Sequence, residues 1–242
     1  MKTIKFLFLF AAAFTIVLNT GCKKDDTNPQ GNARELNVKT ITVPDAITQS
    51  SDPGAQQAAG YMSLANSMAG MSALMVPPKS ATATHFKEGG TPSVYNWTVD
   101  DGDDNYSVTL TIYETNELYK WEMKVNGIMD GHEIDNFVFM KAEQYKDEHD
   151  NFFIVYDWEK PETPSLIMHW HTTNNVFYLT LELPENENIS FVVNADNSGS
   201  IDASVWKNNE YVRTYTASWD ATGHGEYKEY DDNGEVINQG SW

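Results

Sequence analysis

The segment from Phe177 to Val193, FYLTLELPENENISFVV, decides the fold class. Apolar side chains occupy every second position from Phe177 to Leu183 and again from Ile189 to Val193, and the polar sequence PENEN separates the two runs. Successive side chains of a β-strand point to opposite faces, so this period of two predicts two antiparallel strands that share a buried face.

The same alternation begins at Val94 and continues through the rest of the chain. Short turn sequences separate the runs: DGDDN at 101–105, NG at 126–127, NSG at 197–199, NN at 208–209 and DNG at 232–234. About 12 strands at this spacing predict a mainly β fold, an antiparallel meander. Because such a sheet must protect its edges, we expect a curved sheet, a half-barrel or a barrel, with a sandwich as a further arrangement.

One segment before these strands has a helical pattern. No charged residue occurs from Pro53 to Val76. Asp52 suits a helix cap, Pro53 suits the first helical position and Pro77 ends the pattern. An apolar stripe recurs at three- and four-residue spacing: Ala58, Tyr61, Leu64, Met68, Met71 and Met75. The sequence therefore predicts one buried, uncharged helix over about 53–75, inside or across the curved sheet. The β-branched segment 35–43 predicts a further strand.

The N-terminal residues have the pattern of a targeting signal. Lys2 and Lys5 precede an apolar run of 13 residues, from Phe6 to Leu18, which is too short to span a bilayer as a helix. The single cysteine, Cys22, follows where cleavage is expected, and Lys24, Asp25 and Asp26 come directly after it.

This arrangement resembles the lipoproteins of the Bacteroidetes group. The resemblance implies a signal peptide at 1–21, a lipid-modified Cys22, and an export tag formed by Lys24, Asp25 and Asp26. It also implies attachment to the outer membrane through acyl chains, with exposure at the cell surface. Residues 22–34 then form a tether, and 35–242 form one β-rich domain. Asn19 stands where such signals usually have an aliphatic residue, so a secretory peptide followed by a free thiol remains the alternative.

Composition limits the partners. The chain has 35 acidic residues against 16 Lys and Arg, a net charge of −19. Nucleic acid is excluded as a partner, because its phosphates require clustered basic side chains. One cysteine also excludes an internal disulfide framework and a zinc site of several thiolates. We expect no cofactor, and calcium stays open.

Two groups of residues have the spacing of metal ligands. His169 and His171 lie two apart on a predicted strand and face the same side, with Asp157 as a candidate third ligand. Asp101 and Asp103 have the alternate spacing that opens calcium loops, although the glycine and final acid of an EF-hand are missing. A half-buried polar stripe and an acidic turn are the alternative interpretations. No nucleophile elbow or zinc-protease motif occurs, so a hydrolase is the least favoured class.

Two predicted strands, 152–158 and 166–171, are apolar on both faces, which indicates that each face is covered. With the helix, this pattern resembles the unclosed barrels of lipoprotein-carrier and mycobacterial lipid-binding lipoproteins. The expected function is a binding module that holds an apolar or amphipathic ligand between sheet and helix, through these residues: Met68, Met71, Trp158, Met168 and Trp170.

The aromatic residues support an alternative. Rings at the surface suit capture of a glycan or a protein partner, and the candidates are Trp158, Trp170, Tyr178, Trp206 and Tyr230. In addition, 225–234 resembles one unit of MORN-like hairpin repeats, and Trp219 and Trp242 lie 23 residues apart after similar residues. A plain meander period explains that repeat equally well.

Overall fold

The computed structural model describes residues 33–84, 92–102, 104–129 and 131–242. The predictions for the signal peptide, Cys22, Lys24, Asp25, Asp26 and Asp103 lie outside these residues. The helical elements are α1 (Asp45–Thr48), α2 (Pro53–Gly70) and a 3-10 helix (Met71–Met75). The strands are β1 (Thr82–Thr84), β2 (Ser93–Asp101), β3 (Asp104–Glu114), β4 (Leu118–Met129), β5 (His132–Tyr145), β6 (Asn151–Asp157), β7 (Lys160–Thr173), β8 (Val176–Leu183), β9 (Glu187–Val193), β10 (Gly199–Lys207), β11 (Glu210–Trp219), β12 (Gly225–Tyr230) and β13 (Val236–Ser241).

The 13 strands pair in sequence order in one sheet, which confirms the mainly β antiparallel meander. Among the described residues β1 and β13 are the two edge strands, so the sheet is open and the closed-barrel alternative is wrong. Strand β1 lies in a segment without alternation, which explains why the sequence predicted about 12 strands.

The chain divides into two compact units. Among the described residues, the first contains 33–37 together with those of Met71–Gln144 and Val155–Ser165, and the second contains Val38–Gly70, Tyr145–Ile154 and Leu166–Trp242. Each unit has its own fully buried side chains. Tyr95, Leu110, Trp121 and Met123 represent the first core, and Met62, Phe177, Phe191 and Tyr215 the second.

Helix α2 belongs to the second unit and begins where the sequence predicted. The Asp52 carboxylate accepts hydrogen bonds from the backbone N–H groups of Gly54 and Ala55, at 2.8 and 3.2 Å, and so caps the first turn. The helical segment also ends at Met75 as predicted, but α-helical geometry stops at Gly70 and the last five residues form the 3-10 helix.

The apolar stripe predicted for this helix is confirmed at four positions, because Ala58, Met68, Met71 and Met75 are buried. Helix α2 also buries small residues of the neighbouring face. Its most buried residues are mainly small, with Met62 and Met68 among them: Gly54, Ala55, Ala58, Met62, Ala65, Met68 and Ala69. Tyr61 and Leu64 are only half-buried. Alanine and glycine let a helix approach its neighbours closely, so this face packs inward and the bulkier residues lie at its margin.

The strand predicted over 35–43 does not form. In the second unit, the Asn66 side chain accepts a hydrogen bond from the Ile41 N–H at 2.7 Å and donates one to the Ile41 carbonyl at 2.8 Å. In the first unit, Gln144 makes the same reciprocal pair with the backbone of Asn37, at 3.3 and 3.1 Å. Side-chain amides thus provide the hydrogen bonds that a neighbouring strand would have provided.

Two tryptophans of the second unit bind to hairpin turns in the same way. Trp219 donates from Nε1 to the Asn197 carbonyl at 2.7 Å, and Trp242 donates to the Gly223 carbonyl at 2.7 Å. Each indole ring also lies against a glycine of the strand that follows the turn, Gly199 for the first and Gly225 for the second. We call these two arrangements the indole clamps, and they give the faint sequence repeat a structural basis.

Candidate functional site

The residues predicted to bind an apolar ligand are mostly core residues. Met68, Met168 and Trp170 are 6%, 0% and 4% exposed in the second unit, and Met71 is 8% exposed in the first. Trp158 lies in the turn after β6, half-buried, with its ring 4.4 Å from that of His132. Because Trp170 is buried, it is excluded as a residue that contacts a partner at the surface. The role of these five residues in binding an apolar ligand stays a prediction.

The helix of the second unit rests directly on its strands. Tyr215, which is fully buried, donates a hydrogen bond from its hydroxyl to the Gly54 carbonyl at 2.7 Å. A Cβ atom placed on Gly54 would lie 2.1 Å from the ring of Tyr227, so no free space separates the two here. Tyr61 packs against Tyr215 with ring centres 5.5 Å apart. Burial raises the pKa of Tyr215, so its hydroxyl stays protonated and available as a donor.

A polar group lies at the margin of this helix. Burial raises the pKa of Glu187, and the hydrogen bond from the Tyr61 hydroxyl partly opposes that rise. Gln57 donates to the same hydroxyl at 3.4 Å. Burial likewise raises the pKa of Tyr61. The carboxyl group of Glu187 is thus held in surroundings that favour its protonated form.

The predicted metal ligands have other partners. His169 pairs through Nε2 with Asp150 Oδ1 at 2.5 Å, and the ring of His171 stacks on that of Tyr178. Asp157 accepts a hydrogen bond from the Glu159 N–H at 2.9 Å. Asp101 ends β2, is exposed, and precedes Gly102 at a φ of 67°. Within the described ranges, no three His, Cys, Asp or Glu residues are grouped as a metal site would require.

The two strands predicted to be apolar on both faces bury only one. In β7, Leu166, Met168 and Trp170 are buried, whereas His169 between them is exposed. Alternation in β8 to β12 gives the second unit a helix-covered face and an opposite face, which we call the outer face. Side chains of the outer face are half-buried or exposed, so the polar and aromatic groups on this face are accessible to a ligand in solution.

Three side chains form a corner on the outer face. The type I′ turn at Asn208 and Asn209, both at positive φ, places Trp206 directly opposite Tyr211. Their rings meet nearly edge to face, with centres 4.9 Å apart and planes at 68°. The Tyr211 hydroxyl donates to Glu182 Oε1 at 3.4 Å. We call Glu182, Trp206 and Tyr211 the aromatic corner.

A charged pair lies beside the aromatic corner. Arg213 donates to both carboxylate oxygens of Asp202, from Nε at 3.1 Å and from Nη2 at 2.5 Å, and the two side chains are 55% and 40% exposed. Ser204 lies opposite Arg213 on one neighbouring strand and opposite Asn188 on the other. These two small polar residues, Ser204 and Asn188, lie between the aromatic corner and the charged pair. Tyr230 is farther along the face, with its hydroxyl 3.1 Å from that of Thr216.

Several exposed acids of the second unit organise turns. Hydrogen bonds lower the pKa of three of them: Asp196, Asp220 and Asp231. In each turn the carboxylate accepts N–H groups from two to four residues later. Asp147 pairs with His149, which lowers the pKa of Asp147. These acids stabilise the conformations of their own turns.

The sequence singled out Trp206 but not its partners. The signal for Tyr211 was present, since a two-residue turn at Asn208–Asn209 fixes which residues face each other. Glu182 and Arg213 carry no such signal, because their place beside the aromatic rings depends on the pairing of four strands.

No protein-family model matches this chain, and no match appears among curated proteins. Among the described residues, no helix has the length and hydrophobicity needed to cross a membrane.

Proposed function

We propose that this chain is a lipid-anchored, extracytoplasmic binding module that captures its ligand on the outer face of the second unit. The anchor would be Cys22, with Lys24, Asp25 and Asp26 directing the protein to the cell surface of a Bacteroidetes-type outer membrane. An acyl chain contributes about 0.8 kcal/mol per buried methylene, so attachment needs no apolar surface on the domain itself.

One observation supports the outer face as the ligand-binding face: α2 already covers the opposite face. The helix-covered face is occupied by α2, whose Gly54 contacts Tyr227 and accepts the hydrogen bond of Tyr215. The outer face instead holds Trp206 and Tyr211 among hydrogen-bonding side chains, at intermediate exposure. Aromatic rings combined with a few oriented polar groups are the usual composition of a recognition site.

The experiment measures lipid attachment at Cys22 and exposure at the cell surface in the same bacterial strain. The full-length chain and its Cys22→Ser variant are expressed in a Bacteroidetes host that is fed an alkyne-labelled fatty acid. We expect label only in the unaltered chain, and degradation of that chain when intact cells are treated with protease. Label in both chains, or protection from protease in intact cells, would contradict the proposal.

A second candidate function is retention of an apolar ligand between α2 and the strands of the second unit. The observation that favours it is the buried methionine content, with Met62, Met68 and Met168 on this face. Methionine side chains adapt to varied shapes and could repack around a ligand. Native mass spectrometry of the full-length protein, followed by solvent extraction, tests this. A reproducible apolar species supports the second candidate, and a ligand-free mass counts against it.

A further inference from the structure

The aromatic corner combines two kinds of surface within one small area. Trp206 and Tyr211 supply ring surface, and their edge-to-face contact holds both rings in fixed orientations. Glu182 supplies carboxylate oxygens at one end, while Asp202 and Arg213 supply a planar, half-exposed fork at the other. Strand register places the small polar side chains of Asn188 and Ser204 between them.

We infer that this corner binds a neutral hexopyranose oligosaccharide, an inference that rests on the proposed function and names its ligand class. A pyranose ring has a face of C–H bonds that packs on an aromatic ring, and a rim of hydroxyls that both donate and accept hydrogen bonds. The rings of the corner match the first property. The carboxylates, the amide and the guanidinium match the second, because they include donors and acceptors.

The charges at the aromatic corner favour neutral carbohydrates over anionic ones. Glu182 and Asp202 are both acidic, and the nearby cation, Arg213, is already paired with Asp202. The whole chain carries a charge of −19. A sulfated or uronic-acid glycan would therefore meet repulsion at the site and from the surrounding field. An apolar chain such as an acyl group would remove water from these charged groups without offering them hydrogen bonds in its place.

The test measures binding by full-length protein in detergent. Hexasaccharides of glucose, mannose and galactose are titrated calorimetrically beside heparin and polygalacturonate fragments. We expect one or more of the neutral oligosaccharides to bind and the anionic ones not to bind. Trp206→Ala should weaken that binding at least about tenfold. Trp206→Phe, which keeps a ring, should recover part of it.

The matched control is Tyr178→Ala. Tyr178 is 36% exposed on the same face, but its ring pairs with His171 and lies outside the corner. This variant should bind like the unaltered chain, and circular dichroism checks that all variants fold. Equal losses for Tyr178→Ala and Trp206→Ala would overturn the inference. So would a preference for the anionic glycans, or no binding of any neutral hexasaccharide. Anchoring is judged separately by the fatty-acid label, so failure of one proposal is distinguishable from failure of the other.

Discussion

Exchanging two glycines of α2 for alanine should have opposite effects on stability. A Cβ on Gly54 would lie 2.1 to 2.3 Å from three ring atoms of Tyr227. That ring is 6% exposed and stacks on Trp242, so it has little room to move. Gly60 is an exposed residue of the same helix, and a Cβ there meets nothing within 4 Å.

The expected magnitudes follow from these surroundings. Overpacking at Gly54→Ala should cost about 1–3 kcal/mol, and displacement of the carbonyl from the Tyr215 hydroxyl adds to that cost. Gly60→Ala should gain about 0.5–1 kcal/mol, because alanine loses less backbone entropy in a helix. For a chain of this size, 1 kcal/mol corresponds to about 2–4 °C in Tm.

The assay is urea unfolding with parallel calorimetry on both variants. The expected result is a lower midpoint for Gly54→Ala and a higher one for Gly60→Ala, with similar denaturant slopes. If Gly54→Ala were as stable as Gly60→Ala, the helix would not rest on Tyr227. Space between α2 and the strands would then exist, and the apolar-ligand function would become the better proposal.

Three further perturbations test separate contacts. Because burial raises the pKa of Glu187, the folded state binds its proton more tightly than the unfolded state; stability is full below the ordinary pKa and falls as pH rises through the raised value. The stability of Glu187→Gln, measured against that of the unaltered chain, should therefore be more favourable at pH 8 than at pH 4. Equal shifts in the urea midpoint at both pH values would refute this. Trp242→Phe keeps a ring but loses the hydrogen bond to the Gly223 carbonyl, which should lower the free energy of unfolding by about 1 kcal/mol. An unchanged free energy of unfolding would show that this hydrogen bond contributes nothing. Asn66→Ala leaves both backbone groups of Ile41 without their partner, which should cost about 2 kcal/mol and speed amide exchange at Ile41, so retained protection there would contradict the reciprocal pairing.

The sheet could be predicted because its signal is local. Alternation and turn residues specify each hairpin separately, as at Asn208–Asn209, and the pairing order then follows from the short connections. The start of α2 is equally local, since Asp52 and Pro53 determine it within one turn. The predicted stripe failed only at Tyr61 and Leu64, which are half-buried because the small residues of α2 pack closely inward and leave these larger side chains at the margin.

The segment around Ile41 shows why extended chain was mistaken for a strand. Its β-branched residues favour extended backbone, but its hydrogen-bond partner is the side chain of Asn66 rather than another strand. Similarly, Trp170 was a candidate surface residue because it is aromatic, but it lies beside Leu179 on the buried face of β7 and β8. The aromatic corner needed both the turn at 208–209 and the pairing of β8 to β11. Contacts that combine several strands lie beyond what periodicity specifies.

The indole clamps make the hairpins depend on chain that comes later. The turn at Asn197 is completed by Trp219, 22 residues downstream, and the turn at Gly223 by Trp242, 19 residues downstream. Because a chain is synthesised from its N-terminus, each turn lacks its indole hydrogen bond until the next hairpin has been made. Damage to a later hairpin should loosen the one before it, so defects spread backwards along the chain.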